Sequence, residues 1–216
     1  MIDAVVFDLD GVIVDSEQVW DDVRERLARE RGGDWHEGAQ AEMMGMSSPE
    51  WSHYMHERIG LPESPEEINA EVVERMLERY HGSLPLIDGA VEAVRRLADG
   101  FTLGVASSSN RPLIELVLEQ AGIAELFAAV VSSEEVAHGK PAPDVYLEAL
   151  RRLDVPPGRA AAIEDSSNGI RAAHAAGMRV IAVPNAHYPP APDALQLADA
   201  VVASPRELTQ ELIDPT

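Results

Sequence analysis

The 216-residue sequence contains no cysteine and no long apolar run. The absence of cysteine excludes disulfide bonds and catalysis by a thiol, and it fits a reducing compartment. No apolar run approaches the ~20 residues that a helix needs to span a bilayer. The N-terminal stretch MIDAVVFDLDGVIVD carries acids where a signal peptide needs a basic segment and an uninterrupted apolar one. Together these absences predict a soluble, cytoplasmic protein.

Positive charge is also scarce, because 17 basic residues stand against 38 acidic ones and the net charge is −21. Nucleic acids and anionic membranes bind proteins that present a positive field, so neither is expected as a partner. An anionic substrate must therefore be held by a few local cations. Lys140 is the single lysine of the chain, and it lies in the glycine–proline loop GKPAP. The sequence leaves the oligomeric state open, and a monomer is compatible with it.

Strand and helix patterns divide the chain into two kinds of sequence. The segment AVVFDLD near the N-terminus is β-branched and almost entirely apolar, which predicts a strand covered on both faces in a parallel sheet. From residue 84 onward, helix and strand patterns alternate, which is typical of an α/β protein with helices on both faces of a parallel sheet. Residues 16–83 show helical patterns and no convincing strand. We therefore expect a sheet built from residues 1–15 and 84–216, with a helical insertion at 16–83 after the first strand.

The helical insertion (residues 16–83) carries its own start and packing signals. Ser64 and Glu67 have the spacing of a capping box, which predicts a helix that begins there. Two apolar stripes at helical spacing predict buried helix faces. They comprise Trp20, Val23 and Leu27, and further along Ile68, Val72, Met76 and Tyr80. The arginines of the insertion mostly stand among acids, at spacings typical of solvated helix faces. These arginines are Arg24, Arg26, Arg29, Arg31, Arg58, Arg75 and Arg79.

Polar residues follow four successive predicted strands at the point where each strand ends. They are Asp8 and Asp10 after the first strand, Ser107 and Ser108 after the second, Lys140 in the loop after the third, and Glu164 and Asp165 after the fourth. Each alone would suit a turn or a helix cap, but turn chemistry does not explain the four together. Ligands of an open parallel sheet bind at the carboxyl ends of its strands, so we expect these side chains to meet in one site.

Carboxylates clustered in this way repel one another unless a cation lies among them. Asp8, Asp10, Glu164 and Asp165 offer only oxygen ligands, which suit Mg²⁺ completed by water and by a substrate phosphate. The lack of thiols and of a histidine pair at ligand spacing argues against zinc. Mg²⁺ is therefore the predicted cofactor, and a small phosphorylated metabolite is the predicted substrate.

The residue types at this edge suit phosphoryl transfer. A carboxylate beside Mg²⁺ can attack phosphorus and form an aspartyl-phosphate, which is the role expected of Asp8. Asp10 projects from the same side of an extended chain, so it can protonate the leaving alcohol and then activate water. Ser107 is expected to donate a hydrogen bond to a phosphoryl oxygen. Lys140 supplies a compact charge, whereas the wider fork of an arginine would overfill a pocket that also holds Mg²⁺.

The segments DLDGVIVDSE, VASSSN, GKPAPDVY and IEDSSNGIRAAHAAGM resemble, in order, the four motifs of the haloacid dehalogenase-like phosphatase superfamily. The resemblance covers essentially the whole chain. It implies an α/β fold with a Rossmann-like, doubly wound parallel sheet and a small all-helical cap inserted after the first strand. The corresponding domains are a catalytic core of residues 1–15 and 84–216 and a cap of residues 16–83.

The resemblance also implies roles for the motif residues. Asp8 corresponds to the nucleophile and Asp10 to the general acid and base, and the presence of Asp10 argues against dehalogenase activity. The implied phosphate-binding residues are Ser107, Ser108 and Lys140. The implied Mg²⁺ ligands are Asp8, the backbone carbonyl of Asp10, and Asp165, with Glu164 in support.

The most similar subgroup contains β-phosphoglucomutases and sugar-phosphate phosphatases, and two segments favour the phosphatases. Mutases typically carry glycine, any residue, serine and arginine in the cap, whereas this sequence has Ser48 where the arginine would stand. Mutases also tend to carry histidine near the position of Trp20, whereas DSEQVW is similar to DSEPLW of hexose-phosphate phosphatases. We therefore expect a Mg²⁺-dependent phosphatase acting on a sugar phosphate. The alternatives are a phosphomutase of the β-phosphoglucomutase type and, disfavoured by the intact motifs, a non-catalytic binding protein.

Some residues of the insertion are candidates for contact with the substrate. The candidates are Trp20, Met46 and Ser47, with Met44 as a further one. Met43 and Trp51 are expected to pack the helices of the insertion instead. His187, in the loop VPNAHYPP, is expected near the site but not as a catalyst.

Overall fold

The computed structural model describes residues 1–43, 46–185 and 188–215. The strands are β1 (Ala4–Phe7), β2 (Thr102–Ser107), β3 (Phe127–Ser132), β4 (Ala160–Glu164), β5 (Arg179–Ala182) and β6 (Ala200–Val201). The helices before β2 are α1 (Glu17–Glu30), α2 (Ala39–Met43), α3 (Ser48–Glu57), α4 (Pro65–Gly82) and α5 (Ala90–Ala98). The later helices are α6 (Arg111–Gln120), α7 (Asp144–Leu153), α8 (Ser167–Ala175), α9 (Pro192–Leu195) and α10 (Gln210–Ile213).

The described strands form one parallel sheet in the order β3-β2-β1-β4-β5-β6. Helices pack on both of its faces, so the predicted α/β fold with a doubly wound parallel sheet is confirmed. β1 pairs with β2 on one side and with β4 on the other, so the chain direction across the sheet reverses at β1. The crevice at this switch point opens at the carboxyl ends of β1, β2 and β4, where the predicted site residues lie.

Alternate residues of β1 face opposite sides of the sheet. Val5 and Phe7 belong to one apolar core, which also contains the buried faces of α5 and α6. Ala4 and Val6 belong to a second core, which α7 and α8 cover. Because both faces are buried, every side chain of β1 is apolar, and polar residues begin only where the strand ends.

Helices α1 to α4 occupy the helical insertion, and the described residues between 16 and 83 contain no strand. Ser64 and Glu67 form the predicted capping box at the start of α4, and the predicted stripe of α4 is buried. The stripe of α1 is buried as well, and it includes Arg24 in addition to the predicted residues. α4 packs on α1 and α3, and also on α6, which covers one face of the sheet. That residues 16–83 form a separate domain stays a prediction.

The last strand and the last helix of the described chain are short. β6 covers only Ala200–Val201, and the segment after it forms a 3₁₀ turn at Pro205–Glu207 followed by the short α10. The pairing with β5 ends at Val202, whose amide donates to Ala182, because the next amide, that of Ala203, donates to the Glu207 side chain instead. No described helix combines the length and the apolar character that a membrane span requires.

Gly169 in α8 approaches the end of β4 so closely that a side chain does not fit there. A Cβ atom on Gly169 would lie 1.7 Å from Oε1 of Glu164. Gly169→Ala must therefore displace a buried carboxylate, and we expect it to lower the free energy of unfolding by roughly 1–3 kcal/mol. Urea unfolding followed by circular dichroism measures this change.

Gly82→Ala is the matched control, since a Cβ atom there meets nothing within 4 Å and alanine favours a helix over glycine. We expect this variant to be neutral or slightly more stable than the wild type. Equal unfolding free energies for the two variants would show that the contact between α8 and Glu164 does not constrain the fold.

Candidate active site

The ammonium of Lys140 lies between two carboxylates at the carboxyl edge of the sheet. Its Nζ is 3.0 Å from Oδ1 of Asp8, directly after β1, and 2.7 Å from Oε1 of Glu164, the last residue of β4. The centroid of the Tyr146 ring is 4.9 Å from the same Nζ. Lys140 is only 4% exposed. The single lysine is thus a buried cation that joins the ends of two neighbouring strands to the loop after β3.

Burial and nearby charge shift the protonation of this cluster. Burial raises the pKa of Asp8 well above its ordinary value; Lys140 opposes this shift, whereas Glu164 and Asp10 add to it. Burial also raises the pKa of Asp165, with Glu164 and Asp8 adding to the effect. For Lys140, burial lowers the pKa, but Asp8 and Glu164 outweigh it, so the net pKa lies above the ordinary value. A further cation beside Asp8 and Asp165 would favour their ionised forms.

Glu164 is the buried anchor of this edge. Its Oε1 accepts hydrogen bonds from Lys140 Nζ at 2.7 Å and from the Tyr146 hydroxyl at 2.8 Å. Its Oε2 accepts hydrogen bonds from the amides of Asp165 and Ser166, at 3.0 and 3.2 Å, and from the Ser166 hydroxyl at 3.1 Å. Both oxygens are thus engaged by protein donors, so the geometry favours a positioning role for this carboxylate. Direct metal ligation by Glu164 stays a prediction.

Three carboxylates of the site lie close enough to share one metal ion. Asp8, Glu164 and Asp165 are buried, and each offers an oxygen within 4.8 Å of the others. Oδ1 of Asp8 accepts no hydrogen bond within the described chain, although Lys140 faces it as an ion-pair partner. Buried carboxylate oxygens with lone pairs available for a metal suit a hard cation such as Mg²⁺.

Hydroxyl and indole donors hold Asp10 in one orientation beside Asp8. Its Oδ1 accepts hydrogen bonds from the Ser16 hydroxyl at 2.5 Å and from Nε1 of Trp20 at 3.3 Å. Its Oδ2 accepts hydrogen bonds from the hydroxyls of Ser109 and Ser107, at 2.7 and 3.3 Å. The carboxylate is therefore positioned by both the helical insertion and the end of β2.

A cavity opens at this edge between the sheet and the helical insertion. Its lining from the sheet side comprises Asp8, Asp10, Ser108, Ser109, Lys140, Asp165 and Ser166. Its lining from the insertion comprises Glu17, Trp20, Arg24, Met43, Met46 and Trp51. The structure thus brings most of the predicted motif residues together with the predicted Trp20 and Met46, and their individual roles stay predictions.

Ser107 and Ser47 lie outside this lining. Ser107 is fully buried, and its hydroxyl donates to Asp10 and accepts from the amide of Ser109. Ser108 does line the cavity, and its buried Oγ has no hydrogen-bond partner in the described chain. Ser47 is the N-cap of α3 and forms a capping box with Glu50, and both its amide and its hydroxyl donate to the Glu50 carboxylate. Its predicted contact with the substrate therefore has no support in its position.

The expectation that Met43 and Trp51 only pack the helices of the insertion is wrong. Both are buried, as packing of the insertion requires, but both also line the cavity. Trp51 reaches it because its ring lies against that of Trp20, with the centroids 6.0 Å apart. Met44 and His187, the other residues predicted near the site, lie outside the described residues.

Sequence reasoning missed a polar group on the insertion side of the cavity. Arg24 was expected on a solvated helix face, but it is buried and lines the cavity with Glu17. Gln40 links the two, since its Oε1 accepts from Arg24 at 3.3 Å and its Nε2 donates to Glu17 at 3.0 Å. Burial raises the pKa of Glu17 to about 7 and lowers that of Arg24 to about 10. Spacing could have indicated this, because Arg24 stands four residues after Trp20 on the apolar stripe of α1.

Asn110 connects the insertion to the loops that follow β2 and β3. Its Oδ1 accepts a hydrogen bond from the Ser48 hydroxyl at 2.8 Å, and its Nδ2 donates to Asn69 at 3.1 Å and to Glu134 at 2.7 Å. Asn110 occupies the cap position of α6 but makes no capping bond with its side chain. Glu134 instead accepts from the first amide of that helix, at Arg111. The side chain of Asn110 therefore connects two parts of the chain and does not cap its own helix.

Comparison with known proteins agrees with this geometry. A family model of haloacid dehalogenase-like hydrolases matches residues 2–177. Hexitol phosphatase B from Escherichia coli (strain K12) is 33% identical over 217 residues, covering 95% of this chain and 94% of that protein. CbbY from Rhodobacter sphaeroides, in a crystal structure with phosphate, has a TM-score of 0.84 at 30% identity and 96% coverage of both chains. β-Phosphoglucomutase from Clostridium difficile has a TM-score of 0.85 at 25% identity, covering 98% of this chain and 95% of that one.

The family match spans most of the chain, and hexitol phosphatase B matches it over almost the whole length of both proteins. The predicted enzyme class, a phosphoric monoester hydrolase, is confirmed. The chain belongs to the haloacid dehalogenase-like hydrolase family.

Proposed function

We propose that this protein is a Mg²⁺-dependent phosphatase that hydrolyses a small sugar phosphate through an aspartyl-phosphate on Asp8. The observation that carries the proposal is the buried ammonium of Lys140, 3.0 Å from Asp8 and 2.7 Å from Glu164 at the carboxyl edge of the sheet. Such a cation offsets the charge that a phosphoryl group brings to a carboxylate nucleophile. The similarity to hexitol phosphatase B supports a sugar phosphate as substrate.

Mg²⁺ fits the residues at this edge. Asp8 and Asp165 would hold it together with the backbone carbonyl of Asp10, and Glu164 would support the site through Lys140 and the loop after β4. The burial of Asp8, Glu164 and Asp165, and the short distances between their oxygens, support this assignment. When bound, Mg²⁺ would offset the charge of the carboxylates and of the phosphoryl group.

Asp8 and Asp10 would divide the covalent and the acid–base chemistry. A carboxylate oxygen of Asp8 forms a bond to phosphorus while the bond from phosphorus to the substrate oxygen breaks. Asp10 gives its proton to that leaving oxygen, and it then takes a proton from the water that attacks the aspartyl-phosphate. The bond between Asp8 and phosphorus breaks in this second step and releases phosphate. The hydrogen bonds from Ser16 and Ser109 support the role of Asp10, because they fix its carboxylate beside Asp8.

Lys140 and Ser108 would bind the phosphoryl oxygens. The Lys140 ammonium is the positive charge that contacts Asp8. Ser108 lines the cavity, and its hydroxyl has no hydrogen-bond partner in the described chain. Ser107 would act through Asp10, to which its hydroxyl donates at 3.3 Å. The insertion, residues 16–83, would act as a cap domain that closes the cavity. We further propose that the enzyme acts on metabolites of the cytoplasm, since it combines strong negative charge with an absence of cysteine.

A phosphomutase of the β-phosphoglucomutase type is the second candidate, and Arg24 favours it. A mutase must hold a second phosphate with a cation of the insertion, because an unpaired dianion in a closed pocket is costly. Arg24 is such a cation in the lining of the cavity. Hydrolysis remains the first candidate, because Ser48 stands where mutases carry arginine and is engaged with Asn110. The full-length similarity to a hexitol phosphatase points the same way.

Replacement of Asp8 by asparagine tests the covalent mechanism. Asp8→Asn is nearly isosteric, so we expect the fold to persist while turnover is abolished, because an amide is not a nucleophile toward phosphorus. A screen of phosphorylated metabolites with Mg²⁺ identifies a substrate, and phosphate release is then measured for both proteins. Release by the variant within about tenfold of the wild-type rate would refute the mechanism.

Lys140→Arg tests whether the shape of the cation matters as well as its charge. Lys140 is enclosed by Asp8, Glu164 and the Tyr146 ring, so the wider guanidinium cannot take its place without displacing a carboxylate. We expect kcat/KM to fall about a hundredfold or more, which corresponds to roughly 2.7 kcal/mol. Arg26→Lys is the reverse substitution at an exposed position, and it should keep wild-type activity. Full activity of the Lys140 variant would mean that any local positive charge suffices.

Product analysis separates a hydrolase from a mutase. The protein is incubated with β-glucose 1-phosphate, Mg²⁺ and a trace of glucose 1,6-bisphosphate. We expect free phosphate and glucose, because water activated by Asp10 is the acceptor in a phosphatase. Sustained formation of glucose 6-phosphate, faster than phosphate release from any sugar monophosphate tested, would assign the protein to the mutases instead.

A further inference from the structure

Arg24 differs from the other arginines of the insertion in its burial and its position. It is 5% exposed, and it lines the same cavity as Asp8, Lys140 and Asp165. It enters this cavity from α1, opposite the carboxyl edge of the sheet. Lys140, the other cation of the lining, already has two carboxylate partners.

Aromatic rings and one amide hold the guanidinium in place. Its Cζ lies 4.5 Å from the centroid of Trp20 and 4.7 Å from that of Trp51. One nitrogen donates to Oε1 of Gln40 at 3.3 Å, and Gln40 is itself held by Glu17. Ring contacts stabilise a cation but accept no conventional hydrogen bond, so they leave its N–H groups available.

Arg24 forms no close ion pair with the part of the chain that the structure describes. Across residues 1–43, 46–185 and 188–215, no carboxylate oxygen lies within 4.0 Å of its nitrogens, and its buried Nε has no hydrogen-bond partner. Burial lowers the pKa of Arg24, and the charges of Glu17, Asp10 and Asp21 oppose this only in part from beyond ion-pair distance. A bound anion in direct contact would offset more of the cost of burying this charge. The planar fork of a guanidinium matches a carboxylate or a phosphate through paired hydrogen bonds.

We propose that Arg24 determines substrate specificity by binding a second anionic group, a carboxylate or a phosphate, on the far end of the phosphorylated substrate. The inference rests on the proposed function, in which the first phosphoryl group lies at Asp8 and Lys140. The substrate class is therefore a small phosphorylated metabolite with a second oxyanion. Arg24 reaches the cavity from α1 and not from the segment where mutases carry arginine, which here holds Ser48 bonded to Asn110.

Matched pairs of competitors test this assignment. Wild-type protein and its Arg24→Met, Arg24→Lys and Arg26→Met variants are assayed with Mg²⁺ on p-nitrophenyl phosphate, which has no second anion. Inhibition constants are measured for 3-phosphoglycerate against glycerol 3-phosphate, and for fructose 1,6-bisphosphate against fructose 6-phosphate. The first pair differs by a carboxylate and the second by a phosphate, so the two pairs distinguish the kinds of oxyanion.

We expect at least one doubly anionic compound to bind wild-type protein about tenfold or more tightly than its match. Arg24→Met should remove this advantage and leave the affinity of the singly phosphorylated match within about threefold. Arg24→Lys should keep part of the advantage, since it retains the positive charge but loses the paired N–H groups of the guanidinium. This variant also provides the test if Arg24→Met fails to fold. Arg26→Met, which changes an exposed arginine of the same helix, should leave every constant unchanged.

Equal weakening of both members of each pair would overturn the proposal and assign Arg24 a packing role. Equal affinity of both members for wild-type protein would overturn it as well. Failure of the wild type to hydrolyse p-nitrophenyl phosphate would instead count against the proposed function. In that case, titration calorimetry of the same four compounds on the same four proteins still decides the role of Arg24.

Discussion

The ion pairs of Lys140 with Asp8 and Glu164 connect the end of β1, the end of β4 and the loop after β3. All three groups are buried, so removal of Lys140 would leave two carboxylates without their shared cation, at a cost of about 3–5 kcal/mol. The position of Lys140 depends in turn on Glu164, which the Tyr146 hydroxyl and the amides of the following loop hold in place. The geometry at Asp8 is thus fixed by charges from three separate elements, and the helices and strands serve to bring these elements together.

Because positive charge is scarce in this protein, the cations that line the cavity indicate where an anionic substrate would bind. With a net charge of −21, the protein does not attract anions over long distances. Recognition of a phosphorylated substrate must therefore depend on cations at short range, where burial strengthens their interactions. Lys140 and Arg24 are the cations of the described cavity lining, one on the sheet side and one on the insertion side. Under the proposed function, this arrangement would let an acidic protein bind an anion with groups from both parts of the chain.

The joint between insertion and sheet is polar and specific. Asn110 bonds Ser48, Asn69 and Glu134, and α4 packs on α6 beside it. A second contact is close to the lysine, since a Cβ atom on Gly139 would lie 2.9 Å from Cβ of Ser47. The residue before Lys140 must therefore be glycine for α3 to approach the loop. These contacts place the aromatic residues of the insertion over the carboxylates of the sheet, and they also hold Trp20 against Asp10.

Local pattern in the sequence was sufficient to predict the parallel sheet, the helical insertion and the polar residues at the strand ends. A strand buried on both faces must be apolar along its length, so Asp8 and Asp10 mark the end of β1 without reference to any other element. The capping box of α4 is local in the same sense, because Ser64 and Glu67 are three residues apart. Spacing places Arg24 on the same face of α1 as Trp20, but only the tertiary structure decided that this face lines the cavity. Arg24 and Ser48 depend on contacts with Trp51 and Asn110, which lie 27 and 62 residues away, and spacing along one helix carries no information about partners at that distance.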